Sequence, residues 1–270
     1  MRPPAPAHDL HAGFRDPRRA AADDLTRFLE EADRLPGIRA VQAAMRRAIA
    51  LRPGARLLDA GCGLGLETSR LAADHPPADI VGLDRNASLL EVARRRTPQP
   101  PNVRWLEGDL TALDLPEASF DAIRTERVLM YLADGAFERV IGELARLLRR
   151  GGRLAFFELD YGATILAPGS DGTAAARRAT EALYAALPQP LAGRCIPGLL
   201  AGDGLRDVVA QPFSFAVTAP VWRRIVRDTL TAVPALDPGV RGWLDEQDAA
   251  VAGGGFAAAF TGVLTTASVR

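Results

Sequence analysis

Three carboxylates, Asp59, Asp84 and Asp109, recur at equal intervals along the chain, and the first opens the run Asp59-Ala60-Gly61-Cys62-Gly63-Leu64-Gly65. Residues 56–58 carry a short apolar strand signal, glycines follow at alternate positions, and 67–73 has the pattern of a first helical stretch. Glycine is required in such a loop because a side chain would hold a ligand away from the backbone and because the turn into the helix needs dihedrals that other residues reach at a cost. A second strand over 79–83 ends in Asp84, with Arg85 beside it, and a carboxylate there can accept from both hydroxyls of a ribose. A third strand over 103–107 ends in Gly108-Asp109-Leu110, where an acid can accept from an exocyclic amine and the next N–H can donate to a ring nitrogen. These groups together would bind adenosine. Carboxylates closing successive strands on one sheet edge are costly to desolvate near one another. The bland alternative, three solvated strand-end caps, therefore carries less weight than a ligand site.

Five ordered segments between about residues 50 and 160 carry a family resemblance: 58–65, 82–84, 107–110, the run Phe120-Asp121-Ala122-Ile123-Arg124-Thr125-Glu126-Arg127-Val128-Leu129, and 147–154. They resemble the class I, Rossmann-like S-adenosylmethionine-dependent methyltransferases. Within these the chain looks like the ubiquinone and menaquinone methyltransferases and the small-molecule enzymes of bacterial secondary metabolism. The resemblance implies that Asp59, Gly61, Cys62, Gly63 and Gly65 surround the methionine part of the cofactor. By the same resemblance Asp84 and Arg85 sit at the ribose, Gly108, Asp109 and Leu110 at the adenine, and Glu126 with Arg127 beside the sulfonium and the acceptor pocket. The family often has Thr, Ser or Ala where this chain has Leu64. A dinucleotide oxidoreductase would need a third glycine at Leu66 and makes no demand for Asp109.

Composition bounds the remaining classes. The chain has 270 residues, 48% of them apolar, and a formal net charge of zero, which permits a sizeable core and gives no polyanion signal. All 33 basic residues are Arg, so Schiff-base chemistry and a lysine general base are excluded. Arginine runs at 94–96 and 146–150 are expected to close helices, where positive charge complements the C-terminal dipole. The two cysteines, Cys62 and Cys195, make no disulfide framework, and with His8, His11 and His75 they show no metal-ligand spacing. Cys62 is expected as a filler in the glycine loop and Cys195 as a packed residue at a helix start. The proline-rich N-terminus has no apolar run behind it, and 249–269 is too rich in Gly and Thr for a confident span. The expectation is a cytoplasmic, soluble enzyme without nucleic-acid or membrane partners, a monomer or homodimer, with no metal.

These residues must be positioned by a larger frame. Helices are expected over 21–35 and 37–51, split by Pro36-Gly37, as an N-terminal lid of residues 1–50. A core domain then occupies 51–160. In it Phe137, Val140, Ile141, Leu144, Leu147 and Leu148 form one helical stripe ending at Gly151-Gly152, and a buried fifth strand runs over 154–159. Beyond Tyr161 the pattern gives helices at 173–187, 196–202, 221–230 and 238–251 and strands at 208–217 and 260–269. The resemblance makes this 161–270 part the completion of a doubly wound α/β sheet of seven strands, mostly parallel with an antiparallel last strand, plus a helical substrate cover. Phe213, Phe215, Trp222, Trp243 and Phe256 either line an apolar acceptor pocket or hold the cover to the sheet.

The implied reaction is direct displacement by a small-molecule acceptor at oxygen, carbon or nitrogen. Alignment of two bound reactants supplies about 7–11 kcal/mol in favourable cases, so a base is useful and not obligatory. Candidate bases are Glu158 and Asp160 first, then Tyr161 and Glu126 at strand ends, with His8 or His11 available if the N-terminal segment folds over the site. A non-methylating cyclase that retains the cofactor and a non-catalytic binding protein are the alternatives from other classes. Product mass separates methylation from cyclisation.

Overall fold

Leu57, Leu58 and Ala60 are fully buried around the single acid Asp59, as in a strand covered on both faces, and β1 (Arg56–Ala60) runs between β2 (Asp79–Asp84) and β4 (Phe120–Glu126). The computed structural model describes residues 10–16, 22–96, 101–202 and 205–269; His8 lies outside them. With β3 (Val103–Glu107), β5 (Leu148–Leu166), β6 (Arg206–Ala216) and β7 (Ala258–Ser268) the sheet has seven strands in the order β3-β2-β1-β4-β5-β7-β6. Pairing is parallel from β3 to β5, whereas β7 is antiparallel to both β5 and β6. The expected doubly wound sheet is therefore present. Its strand order reverses between β1 and β4, which opens a crevice at the carboxyl ends of these strands.

The helices follow from their apolar stripes. α1 (Leu10–Arg15), α2 (Ala22–Asp33) and α3 (Pro36–Ile49) precede the sheet, and α4 (Leu66–Asp74), α5 (Ala87–Arg96) and α6 (Ala136–Arg146) are its crossovers. In α6 the stripe Phe137, Val140, Ile141 and Leu144 is buried. The helix stops at Arg146, short of Gly151-Gly152. The Leu147 carbonyl accepts from Ser119 N and Phe120 N, and Leu148 already pairs with Phe120 in the sheet, so Arg149 and Arg150 belong to β5 and cap no helix. β5 also outruns expectation, pairing with β7 beyond Asp160 through a register irregularity as far as Leu166.

After β5 come α7 (Ala174–Ala185) and α8 (Ala192–Gly202), then, past β6, a helical run made of α9 (Ala219–Trp222), a π-helical turn (Arg223–Arg227) and α10 (Asp228–Thr231), and finally α11 (Pro238–Ala252). α3 packs on the sheet at β5 and β6 and is no lid: a Cβ on its Gly37 would lie 2.2 Å from that of Phe215. Cys195 is exposed on α8 and does not pack. No helix among the described residues is long and apolar enough to cross a membrane.

Candidate active site

The glycine loop is shaped by where its N–H groups go. Gly61 N and Cys62 N both donate to Leu83 O at the end of β2, and Gly63 N donates to Asp84 Oδ2 at 2.8 Å. The loop is thus sewn to the second strand, with Gly61, Gly63 and Gly65 at φ of 78°, 54° and 65°. The glycines serve different ends. A Cβ on Gly65 would stand 2.2 Å from the Trp105 ring, so Gly65 makes room for a side chain of β3; one on Gly61 would strike Val128. At Gly63 and Gly108 an added Cβ would meet only Leu29 or Leu83, no nearer than 3.4 Å, and bare backbone faces open space.

That space is a cleft of about 1010 Å³, its solvent-open mouth included. Gly61, Gly63, Asp84, Arg85, Gly108, Asp109, Leu110, Glu126 and Arg127 line it. Nine of the twelve residues expected around the cofactor are therefore on one wall. Asp84 accepts through Oδ2 from Gly63 N and through Oδ1 from Asn86 N, both at 2.8 Å, which leaves each oxygen a second lone pair. Burial pushes its carboxyl up from the ordinary value, against the pull of these two N–H donors. Asp109 Oδ1 is taken by Thr111 N and Thr111 Oγ1, leaving Oδ2 for a ligand.

Asp59, Cys62 and Gly65 do not line the cleft. Asp59 is 2% exposed and accepts from Thr68 Oγ1 at 2.5 Å and Arg124 Nη1 at 2.8 Å. Arg124 also donates to Glu126 Oε2, which Gln42 Nε2 reaches as well, while Glu126 Oε1 takes Arg127 Nη2. Burial raises the Asp59 carboxyl, with Arg124 opposing. Asp59 therefore supports Glu126 from beneath through Arg124. Cys62 packs its thiol, pushed up by burial, near Gly82 as a filler.

The expected bases fare differently from one another. Glu158 is wholly buried, outside the cleft lining, and its carboxylate accepts from Val128 N, Leu129 N and Met130 N. It fixes the turn that follows β4. Asp160 is held bidentately by Arg194 at 2.5 and 2.8 Å and likewise lies off the cleft. Both acids are committed elsewhere, and neither faces the space where an acceptor would sit. Tyr161 does line the cleft, and its hydroxyl has no hydrogen-bond partner among the described residues. Burial holds that phenol well above its usual range, so it stays a donor.

The acceptor side is built by α2, which periodicity predicts, together with α1 and the turn after β4, which it does not reveal. Arg127 stands at φ 58°, a left-handed conformation uncommon outside glycine, and kinks the chain off β4 into the turn Leu129–Tyr131. That turn presents Met130 and Tyr131 to the cleft. Opposite lie His11, Gly13 and Phe14 of α1 and Phe28 and Leu29 of α2. Arg85 reaches over to donate to the carbonyls of Phe14 and Arg15, fastening α1 across the opening. His11 Nδ1 is 3.1 Å from Tyr131 Oη, and its ring meets Tyr161 edge-on at 6.1 Å.

Beyond Tyr161, Ile225 is the one described residue of the C-terminal section in this lining. Trp222 and Trp243 stack edge to face at 5.6 Å between α9 and α11, Phe213 packs on Phe157 within the sheet, and Phe256 is 51% exposed, so none of the aromatics expected in an acceptor pocket, Phe215 included, lines the cleft. Among the described residues no three His, Cys, Asp or Glu side chains are grouped as a metal site.

Residues 57–152 match a family model described as a methyltransferase domain. Over 147 residues the chain is 33% identical to the trans-aconitate 2-methyltransferase of Deinococcus radiodurans, a match covering 54% of this chain and 46% of that protein. The chain thus spans less than half the length of that curated relative. YcgJ of Bacillus subtilis superposes with a TM-score of 0.60 at 18% identity over 86% of this chain and 99% of its own. The [4+2]-cyclase SpnF superposes with a TM-score of 0.57 at 19% identity, over 85% of this chain and 81% of its own. At such identities the likeness concerns the fold, which carries more than one chemistry.

Proposed function

We propose that this chain, whose residues 57–152 match a methyltransferase-domain model, transfers a methyl group from S-adenosylmethionine to a small, partly apolar acceptor. The observation that carries this reading is the convergence of Gly63, Asp84, Gly108 and Asp109 on one cleft wall, with free acceptor capacity at Asp84 and Asp109 and bare backbone at Gly63 and Gly108. These groups fit an adenosine: Asp84 for the ribose hydroxyls, Asp109 with the Leu110 backbone for the adenine, Glu126 for the ammonium of the methionine part. The group bound there supplies a methyl made electrophilic by its positive sulfur.

The chain's own residues then orient, cover and discriminate. Glu126, held by Gln42, Arg124 and Arg127, is fixed in place before any ligand arrives, so little reorganisation accompanies binding. α1, fastened by Arg85, excludes water from the reacting side. Tyr161 offers a neutral hydroxyl as a donor to an acceptor oxygen.

The test is incubation with S-adenosylmethionine carrying a labelled methyl and a panel of aromatic and polyketide-like acceptors, read by mass. Gain of one methyl together with S-adenosylhomocysteine supports the reading. A product of unchanged substrate mass with the cofactor intact would replace it by the cyclase alternative.

A further inference from the structure

We propose that His11 and Tyr131 form a proton-accepting pair for an ionisable hydroxyl on a planar acceptor, a phenol or an enol. The inference rests on the methyl-transfer reading and deepens it. Three observations carry it. His11 Nδ1 and Tyr131 Oη lie 3.1 Å apart, within hydrogen-bond reach, on side chains that both line the cleft. They arrive from separate elements: α1, fastened by Arg85, and the turn after β4, fastened by the Glu158 carboxylate through three N–H groups. Each member is thus positioned by a dedicated anchor. Around them the lining is aromatic, with Phe14 tilted on Tyr131 at 5.3 Å and edge-on to Phe28 at 5.9 Å. Such a wall suits a ring, not a flexible acid.

The chemistry needs such a pair. An unperturbed phenol, with a pKa of about 10, is almost wholly protonated near neutrality and attacks poorly, whereas an imidazole of pKa about 6.5 is matched to take its proton. Glu158 and Asp160 are committed elsewhere and Glu126 is paired with Arg124 and Arg127, which leaves the contact between His11 and Tyr131 to serve as the base. In the transfer, the acceptor O–H gives its proton to Tyr131 Oη as Tyr131 passes its own to His11 Nδ1. The oxygen's electron pair forms the bond to the methyl carbon, and the carbon–sulfur pair stays on sulfur. The positive charge leaves sulfur and ends on imidazolium, which returns its proton to solvent. Tyr161, protonated throughout, lines the same cleft as a hydrogen-bond donor for the acceptor oxygen, and Arg127 lines it as well.

The test uses 4-nitrophenol, whose phenolate absorbs visible light, added at one near-neutral pH to the full chain saturated with S-adenosylhomocysteine. In the unaltered protein the bound dye should be more ionised than the free dye, with a phenolate-to-phenol ratio raised at least about threefold, equivalent to about half a pKa unit. Tyr131→Phe and His11→Asn should each abolish that rise while S-adenosylhomocysteine affinity, measured by calorimetry, stays within about threefold of the unaltered protein. A rise that survives both substitutions would assign the effect to Arg127 and overturn the pair. Absence of dye binding to the loaded protein would overturn the phenol class. Failure of S-adenosylhomocysteine to bind the unaltered protein is a separate result, which removes the methyl-transfer reading and the pair with it.

Discussion

Asp84 shows what one carboxylate does at a strand end. Its two oxygens hold Gly63 N and Asn86 N and so shape the loop, and the residue lines the cleft with a lone pair to spare on each oxygen. Asp84→Asn keeps the size and turns one acceptor into a donor. Hydrogen bonds to a charged group are worth about 1.5–3 kcal/mol, so S-adenosylhomocysteine affinity should fall about 10- to 100-fold in calorimetry. An unchanged affinity would remove the ribose role. Glu158 is the contrasting acid. Burial raises its carboxyl from 4.5 to about 7, despite three N–H donors. A folded-state pKa above the unfolded one adds stability that is complete below about pH 4.5 and is lost as pH rises through about 7, a change of roughly 3 kcal/mol. Melting temperature followed from pH 4.5 to 8 should show this loss, and Glu158→Gln should flatten it; an equally steep profile in the variant would assign the titration to another group. Spacing made Asp84 and Asp109 legible. It could not separate them from Glu158 and Asp160, because a carboxylate facing three backbone donors and one facing a ligand look alike in a sequence.

At the scale of elements, the strand–loop–helix unit around Gly61 was legible because each piece states its period and its turn chemistry locally. The reason for Gly65 was not. Its hydrogen side faces Trp105 of β3, far along the chain, and that contact exists only once β2 and β3 have paired. Gly65→Ala should therefore destabilise by overpacking, about 1–3 kcal/mol, with added strain from φ 65°. Combining it with Trp105→Ala should recover part of that loss, an interaction of at least about 0.5 kcal/mol in denaturant unfolding. Strict additivity would show that backbone strain alone sets the cost. α1 was illegible for a related reason. It is 6 residues long, too short for a helical period, and takes its place through Arg85 and Tyr131 from elsewhere in the fold. The C-terminal aromatics misled because burial and ligand contact both select large apolar side chains.

Across the whole molecule, periodicity supplied the alternating strands and helices and the family resemblance their doubly wound arrangement, and the reversal of strand order between β1 and β4 places the cleft where its topology allows. Two sets of ion pairs, Asp33 of α2 to Arg70 of α4 to Glu67 to Arg46 of α3, and Asp59 of β1 to Arg124 of β4 to Glu126, are joined by the Gln42 amide, which reaches both Asp33 and Glu126 and so ties α2 and α3 to the sheet. Spacing announced only the Glu67–Arg70 pair, one turn apart in α4; the other pairs join elements distant in sequence. Its consequence is that Glu126 and α2 are held to one frame. The central claim is that this frame receives S-adenosylmethionine, and calorimetric titration of the purified protein with S-adenosylmethionine, S-adenosylhomocysteine and NAD tests it most directly. Binding of the first two in the micromolar range, with none of the dinucleotide, is the predicted result. A folded protein that binds neither sulfur ligand would contradict it.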